Sequence, residues 1–266
     1  MDSNEFDSYS IYIVSIQSTI IKSLIEAVKE ILPDTNIEIN EDSIRILSID
    51  PTHTSLVHLN LNAANFEKFH CTHPQILGVN MINLFKLIKT VSSNDMITLF
   101  VQKNDQNHLG IKIENTVKNT STTFKLNLMD LSSGNIKIPP ATFSSIITMK
   151  SSEFQKTCRD MLNISDDIEI KSVDKNLILT CSGDFAEQVT VIGESSSNGI
   201  HFNKLSNAEE EIIQGVFSLK YLTMFSKCTS LSPNIQIYLK NNYPLILSYC
   251  VGSLGEVRMC LAPKQT

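Results

Sequence analysis

Hydrophobic and polar residues alternate one for one along many short segments of this chain. Residues 10–16 (SIYIVSI), 43–49 (SIRILSI), 55–61 (SLVHLNL), 96–102 (MITLFVQ), 108–114 (HLGIKIE) and 123–129 (TFKLNLM) follow this period of two, and Asn, Asp, Gly and Ser separate the runs. After residue 143 the series resumes with SSIITM, DIEIKSV, LILTCS, QVTVIG, NIQIYLK, LILSYCV and EVRMCLA. Such alternation predicts antiparallel strands with one face on a core and one in water. Four stretches, residues 17–31, 81–90, 152–163 and 218–229, carry the helical period instead. In the first, Ile20, Ile21, Leu24, Ile25, Val28 and Ile31 fill an arc of about 140°, with Lys22 and Lys29 beyond its edge. Phe154, Cys158, Met161 and Leu162 share one side of the third, and Tyr221, Leu222, Met224 and Phe225 form the apolar side of the fourth. The first two helices start 64 residues apart, the last two 66 apart, and the first and third 135 apart. This predicts one unit used twice, each copy an α+β arrangement of two helices on a curved sheet.

Charge sharpens the picture. Each helical stretch places two basic residues to one side of its apolar stripe: Lys22/Lys29, Lys86/Lys89, Lys156/Arg159 and Lys220/Lys227. The four stretches hold 8 of the 22 basic and 4 of the 28 acidic residues, a balance of +4 that leaves −10 for the rest of the chain. Positive charge gathered on one kind of element of an acidic protein predicts a surface for phosphate, without making the whole molecule adhesive to nucleic acid.

The 266 residues, 42% of them apolar, can bury two ordinary cores. No apolar run approaches the roughly 18 residues of a membrane span, and the start MDSNEFDSYS is polar and acidic, unlike a signal peptide. Six scattered cysteines predict reduced thiols in a cytosolic or nuclear setting, which leaves the sequons at Asn119 and Asn163 without meaning. Nothing in the sequence predicts a catalytic residue, a metal or a cofactor. There is no Gly-rich phosphate loop, nucleophile elbow or helical His pair. Cys71 and His73 lack the second ligand pair that zinc needs, and Asp166/Asp167 and Glu209/Glu210/Glu211 read as turn tips. A binding protein is expected, not an enzyme.

Six blocks resemble, in order and at nearly constant offset, the proliferating cell nuclear antigen family, the sliding clamps of eukaryotic-type DNA replication. They are IRILSIDPTHTSLVHLNL (44–61), GVNMINLFKLIK (78–89), LNLMDLSSGNIKIPP (126–140), SSEFQKTCRDM (151–161), FSLKYLTMFSKCTSLS (217–232) and LAPK (261–264). The resemblance implies a DNA clamp fold of two similar domains, each with two helices on curved antiparallel sheets, assembling as a homotrimer into a closed ring. It implies a disordered tail at 1–9, an N-terminal clamp domain at 10–127, an interdomain connecting loop at 128–142 and a C-terminal clamp domain at 143–266. The eight basic residues would then line a hole holding double-stranded DNA, read without regard to sequence; Ser23 stands where many members have a further Lys.

The resemblance also implies that residues 119–127 pair with 185–193 of the next chain, with Phe124, Phe185, Val189 and Val191 at the seam. A partner-peptide pocket is implied at Ile49, His53, Leu56, Ile136, Ile138, Pro139, Phe143, Pro244, Leu261, Ala262 and Pro263, serving DNA polymerase, clamp loader, flap endonuclease and ligase. The setting implied is the nucleus, or a cytoplasmic replication site for a virus-encoded member. Thr54, Met259 and Cys260 depart from the common Val and Tyr pair around this pocket, and Asp174, beside Lys175, replaces a Lys that receives ubiquitin in many members. The alternatives are a subunit of a heterotrimeric checkpoint clamp and a monomeric viral processivity factor.

Overall fold

The computed structural model describes residues 6–132, 134, 136, 141–195, 199–204 and 212–264, and these form four α-helices and eighteen strands. They divide into two compact units: Met1–Ser48 with His58–Ile136 and Cys250–Val257, and Ile49–Val57 with Lys137–Tyr249 and Arg258–Thr266.

The first unit contains β1 (Tyr9–Ser15), α1 (Ser18–Val28), β2 (Asp34–Ile39), β3 (Ser43–Ile49), part of β4 (Ser55–Asn62), β5 (Lys68–Cys71), β6 (Gln75–Asn80), α2 (Met81–Ile88), β7 (Asp95–Gln102), β8 (Asp105–Asn115) and β9 (Thr120–Asn127). One sheet runs β5-β1-β7-β8-β9, and β4, β3, β2 and β6 follow one another in a second. Pairing is antiparallel, with Ile13 opposite Leu99 and Ile111 opposite Phe124. Ile21, Leu24, Ile25 and Val28 of α1 and Met81, Leu84 and Ile88 of α2 are buried, so each helix spends its apolar stripe on the core. The Asn80 side chain caps α2 by accepting the Asn83 N–H at 2.8 Å.

The second unit contains β10 (Ser145–Lys150), α3 (Ser151–Leu162), β11 (Asp167–Val173), β12 (Asn176–Ser182), β13 (Glu187–Gly193), β14 (His201–Lys204), β15 (Ile213–Ser218), α4 (Leu219–Phe225), β16 (Asn234–Leu239) and parts of β17 (Leu245–Val251) and β18 (Gly255–Leu261). Its sheets run β13-β12-β11-β15 and β14-β10-β16-β17. In β11 and β12 every second residue is buried, so period two in the sequence is period two in the core. Cys158 of α3 and Cys228 are wholly buried, and burial pushes both thiols up to about 12.

Several expectations need correction. The fourth helical stretch ends its α-helix at Phe225 and continues as a 3-10 turn over Ser226–Ser230. Hydroxyls compete with the backbone there: Ser226 donates to the Thr223 carbonyl at 2.8 Å and Thr229 to that of Ser226 at 2.6 Å. The first helix is shorter than residues 17–31, and Lys29 is its C-cap. The tail expected to be disordered at 1–9 is structured from residue 6. Phe6 stacks on His70 with centroids 4.9 Å apart, its carbonyl accepts the Tyr9 N–H at 2.9 Å, and Tyr9 already belongs to β1. Residues 1–5 lie outside the described residues, as do Glu209, Glu210 and Glu211. Strands β2, β5, β6, β14 and β15 were not predicted. Two have four residues, and β15 is interrupted by Gly215, where a Cβ would come within 2.7 Å of the Phe217 ring.

Candidate functional site

The eight basic residues of the helical stretches fall into two groups. Lys86, Lys89, Lys156, Arg159, Lys220 and Lys227 are exposed. Lys22 and Lys29 are half-buried: the Lys22 ammonium donates to the Val91 carbonyl at 2.7 Å, and Lys29 pairs with Glu30 at 2.5 Å while lying 4.9 Å from the Phe85 ring centre. The first helix thus offers less unengaged charge than its sequence suggests. Periodicity places a side chain on a face but does not show which neighbouring carbonyl or carboxylate will meet it.

Both segments expected at a seam are sheet edges. In the first unit β9 ends its sheet, with Phe124 half-buried and Thr120, Ser121, Thr122 and Thr123 exposed. In the second unit β13 ends its sheet, with Val189 56% and Val191 60% exposed, and Phe185 just before it 77% exposed. Edge strands of this kind present a row of unpaired backbone donors and acceptors.

A cleft of about 320 Å³ opens in the second unit. Its lining is almost wholly apolar and comes from three chain segments: Ile49 and His53 to Leu56, Tyr243 to Ile246, and Cys260 with Ala262. Backbone hydrogen bonds join the first segment to the third and close the first on itself. The Ala262 N–H donates to the Thr54 carbonyl at 3.0 Å, the Asp50 N–H to the Ser55 carbonyl at 2.9 Å, and the His53 N–H to the Asp50 carbonyl at 2.9 Å. His53 takes a left-handed conformation, φ 57°, which a non-glycine residue holds only when its surroundings impose it.

The imposing group is Asp50, 3% exposed. Its Oδ1 accepts the N–H groups of Thr54 at 2.8 Å and Ser55 at 2.5 Å, and its Oδ2 accepts the N–H of Thr52 at 3.0 Å. Burial alone would raise the Asp50 carboxyl, but hydrogen bonds from Thr52, Ser55 and Tyr221 outweigh it and hold the group at about 2. Tyr243, also in the lining, packs edge-on against Phe143 with centroids 5.7 Å apart. Burial pushes the Cys260 thiol up to about 11.

Of the expected pocket residues, the structure gathers Ile49, His53, Leu56, Pro244 and Ala262 around this cleft. Leu261 is fully buried, and Phe143 packs against the Tyr243 ring. Pro263 lines a neighbouring polar cleft with Gln214, Asn241 and Lys264. Ile136 belongs to the first unit, where it borders a polar hollow with Asp34, Asn36 and Glu38. Ile138 and Pro139 lie outside the described residues. Tyr243 and Ile246 were missed. The signal was the turn Asn241-Asn242-Tyr243-Pro244 between two strands, with Asn242 at φ 56°, which leaves an aromatic ring at a hairpin tip.

Among the described residues no group of three or more His, Cys, Asp or Glu could hold a metal ion, and no helix is long and apolar enough to cross a membrane.

Comparison with known proteins gives one answer over nearly the whole chain. Residues 14–135 match the model for the proliferating cell nuclear antigen N-terminal domain, and residues 137–264 match that for its C-terminal domain. The chain is 40% identical over 261 residues to "Probable DNA polymerase sliding clamp 1" of Paramecium bursaria Chlorella virus 1, covering 97% of this chain and 98% of that protein. It is 28% identical over 248 residues to the proliferating cell nuclear antigen of Chaetomium thermophilum, covering 93% and 95%. The crystal structure of proliferating cellular nuclear antigen from Entamoeba histolytica superposes with a TM-score of 0.88 at 26% identity, covering 97% of this chain and all of that one.

Proposed function

The chain belongs to the proliferating cell nuclear antigen family of DNA sliding clamps, which are not enzymes, and on that premise we propose that three copies close head to tail into a ring around duplex DNA. The observation that carries this reading is the pair of unlike sheet edges: β9 in the first unit, rich in hydroxyls, and β13 in the second, with apolar side chains in water. A contact between two different patches of identical chains is heterologous, and it closes into a ring when its rotation divides a full turn. Phe124, Phe185, Val189 and Val191 supply the apolar contacts of that seam, and pairing satisfies the backbone groups that each edge exposes.

The exposed cations Lys86, Lys89, Lys156, Arg159, Lys220 and Lys227 contact phosphates, with Lys22 and Lys29 as weaker contributors. Phosphate contacts hold a duplex without reading its sequence, which is what sliding requires. The apolar cleft at Ile49, Leu56 and Pro244 seats a short peptide with aromatic anchors from DNA polymerase, flap endonuclease, ligase and clamp loader. The site of action is the nucleus or a viral replication site.

Sedimentation velocity on the pure protein, followed by titration with a peptide carrying Gln, an aliphatic residue three on and two aromatics after that, tests the reading. A species of three chain masses that binds the peptide is the expected result. A monomer at micromolar concentration means a clamp without a ring, and assembly only with two other polypeptides means a heterotrimeric clamp.

A further inference from the structure

The loop that carries His53 and Thr54 to the cleft is closed by its own hydrogen bonds to Asp50, and besides the Ala262 N–H a side-chain donor reaches it from far along the chain. The Tyr221 phenol, on α4 of the same unit, donates to Asp50 Oδ2 at 3.0 Å and lies 2.5 Å from the Thr52 hydroxyl. Thr52 in turn stands 2.5 Å from Asp50 Oδ2 and 3.0 Å from the Thr54 hydroxyl, so four side chains form one connected network. The Tyr221 ring is half-buried and packs beside Phe225 with centroids 6.2 Å apart.

These bonds do different work. The backbone donors of Thr52, Thr54 and Ser55 fix the shape of the loop, because they tie it to a carboxylate within the loop itself. The Ala262 N–H, bonded to the Thr54 carbonyl at 3.0 Å, ties the loop to the last strand's end but not to α4. The Tyr221 phenol adds a second tie, to a helix seated in the core of the unit, since Leu219, Leu222 and Phe225 of α4 are each fully buried. Fixing a binding loop before the ligand arrives lowers the entropic cost of binding.

We infer that Tyr221 is a positioning residue for peptide recognition: its phenol, shared between Asp50 and Thr52, anchors the 50–55 loop to α4 and holds His53 and Thr54 in the orientation that the incoming peptide meets. The inference rests on the cleft being the peptide site. It separates Tyr221 from the residues that touch the peptide, and it assigns the hydroxyl a role in affinity beyond any in folding.

The test compares the whole protein with Tyr221→Phe, which keeps the ring and deletes the hydroxyl, and with Asp50→Asn and the double variant. Calorimetric titration uses the Gln-aliphatic-aromatic-aromatic peptide; melting temperature and the NMR signals of the His53 imidazole are read alongside. Tyr221→Phe is expected to weaken the peptide about three- to tenfold, leave melting nearly unchanged, and shift or broaden the His53 signals. Added to Asp50→Asn it is expected to cost less than it does alone, because the network is already broken. Should Asp50→Asn fail to fold, Thr52→Val replaces it in the cycle. Leu56→Ala serves as the control for the cleft. If Leu56→Ala weakens the peptide and Tyr221→Phe does not, the cleft reading stands and the positioning role is overturned. Equal affinities for wild type and Leu56→Ala, or no binding by wild type, overturn the cleft reading and this inference together. A Tyr221→Phe loss of affinity matched by a large drop in melting temperature, with His53 unmoved, makes the hydroxyl merely structural and also overturns it.

Discussion

Strands β9 and β13 each end a sheet, but one is dressed in Thr and Ser and the other shows Val189 and Val191 to water. An exposed, apolar, unpaired strand invites association with whatever edge it meets. Two such edges on one chain would promote open-ended aggregation. One apolar edge and one hydroxyl-rich edge, whose Phe124 is partly covered and whose Leu126 is buried, instead favour contact between unlike partners. The same contrast runs through the helices: Lys22 and Lys29 of the first helical stretch are engaged with Val91, Glu30 and Phe85, while Lys156 and Arg159 of α3 are exposed. The two units share an architecture, and their surfaces have diverged within it.

The largest expected effect comes from charging the apolar edge. Val189→Asp combined with Val191→Asp puts two carboxylates where a neighbour's strand must pack, and sedimentation at micromolar concentration should show monomers. Phe124→Ala attacks the other edge more gently. It removes on the order of 2 kcal/mol of apolar burial per seam, so trimers should persist at high concentration and dissociate on dilution. Equal effects from the two edges would erase the contrast between them.

Next come the cations. Reversing Lys156 and Arg159 to Glu should weaken DNA binding for all sequences alike, and each lost phosphate contact should lower the slope of log affinity against log salt by about 0.9. Reversing Lys22 and Lys29 should change that slope less and cost stability as well. The Val91 carbonyl loses a charged donor at 2.7 Å, typically worth about 1.5 to 3 kcal/mol. A salt-slope series with thermal melts separates the two outcomes.

The smallest expected effect concerns acid. Asp50 in the second unit is held at about 2 against an ordinary 3.8, with hydrogen bonds outweighing its burial. The stability this supplies is fully present above the ordinary value and is lost as pH falls from there toward 2. In the first unit Asp95 also sits below its ordinary value. Its burial is outweighed by donors from Ser92 and Asn115. Melting curves between pH 5 and 2 should flatten in Asp50→Asn, and comparison with Asp95→Asn shows which turn yields first.

Much of this protein was legible from the chain because period is local. The alternation in DIEIKSV and LILTCS becomes alternate burial in β11 and β12, and the four helical stretches hold the four helices. What escaped was set by distant partners. The engagement of Lys22 depends on a carbonyl 69 residues away, and the anchoring of Asp50 on a phenol 171 residues away. Tyr243 became a cleft wall because Phe143 supports it, and no property of the Asn-Asn-Tyr-Pro turn indicates which ring will stand behind it. Ile136 was assigned to the cleft by family position alone, and in the first unit it borders a hollow lined by Asp34, Asn36 and Glu38 together with Leu47, Ile76 and Leu131.

The buried thiols have a practical corollary. Cys158 and Cys228, raised to about 12 and shielded from solvent, do not form thiolate at neutral pH, and Cys260 at about 11 scarcely does. Cys181 is buried as well, and Cys71 is half-covered with its sulfur 3.0 Å from the His73 carbonyl. Cys250 on β17 is exposed. A maleimide dye added to the native protein therefore goes first to Cys250, ahead of the half-covered Cys71, so brief labelling of the unmodified sequence offers a preferred attachment point for following the protein on a duplex by fluorescence.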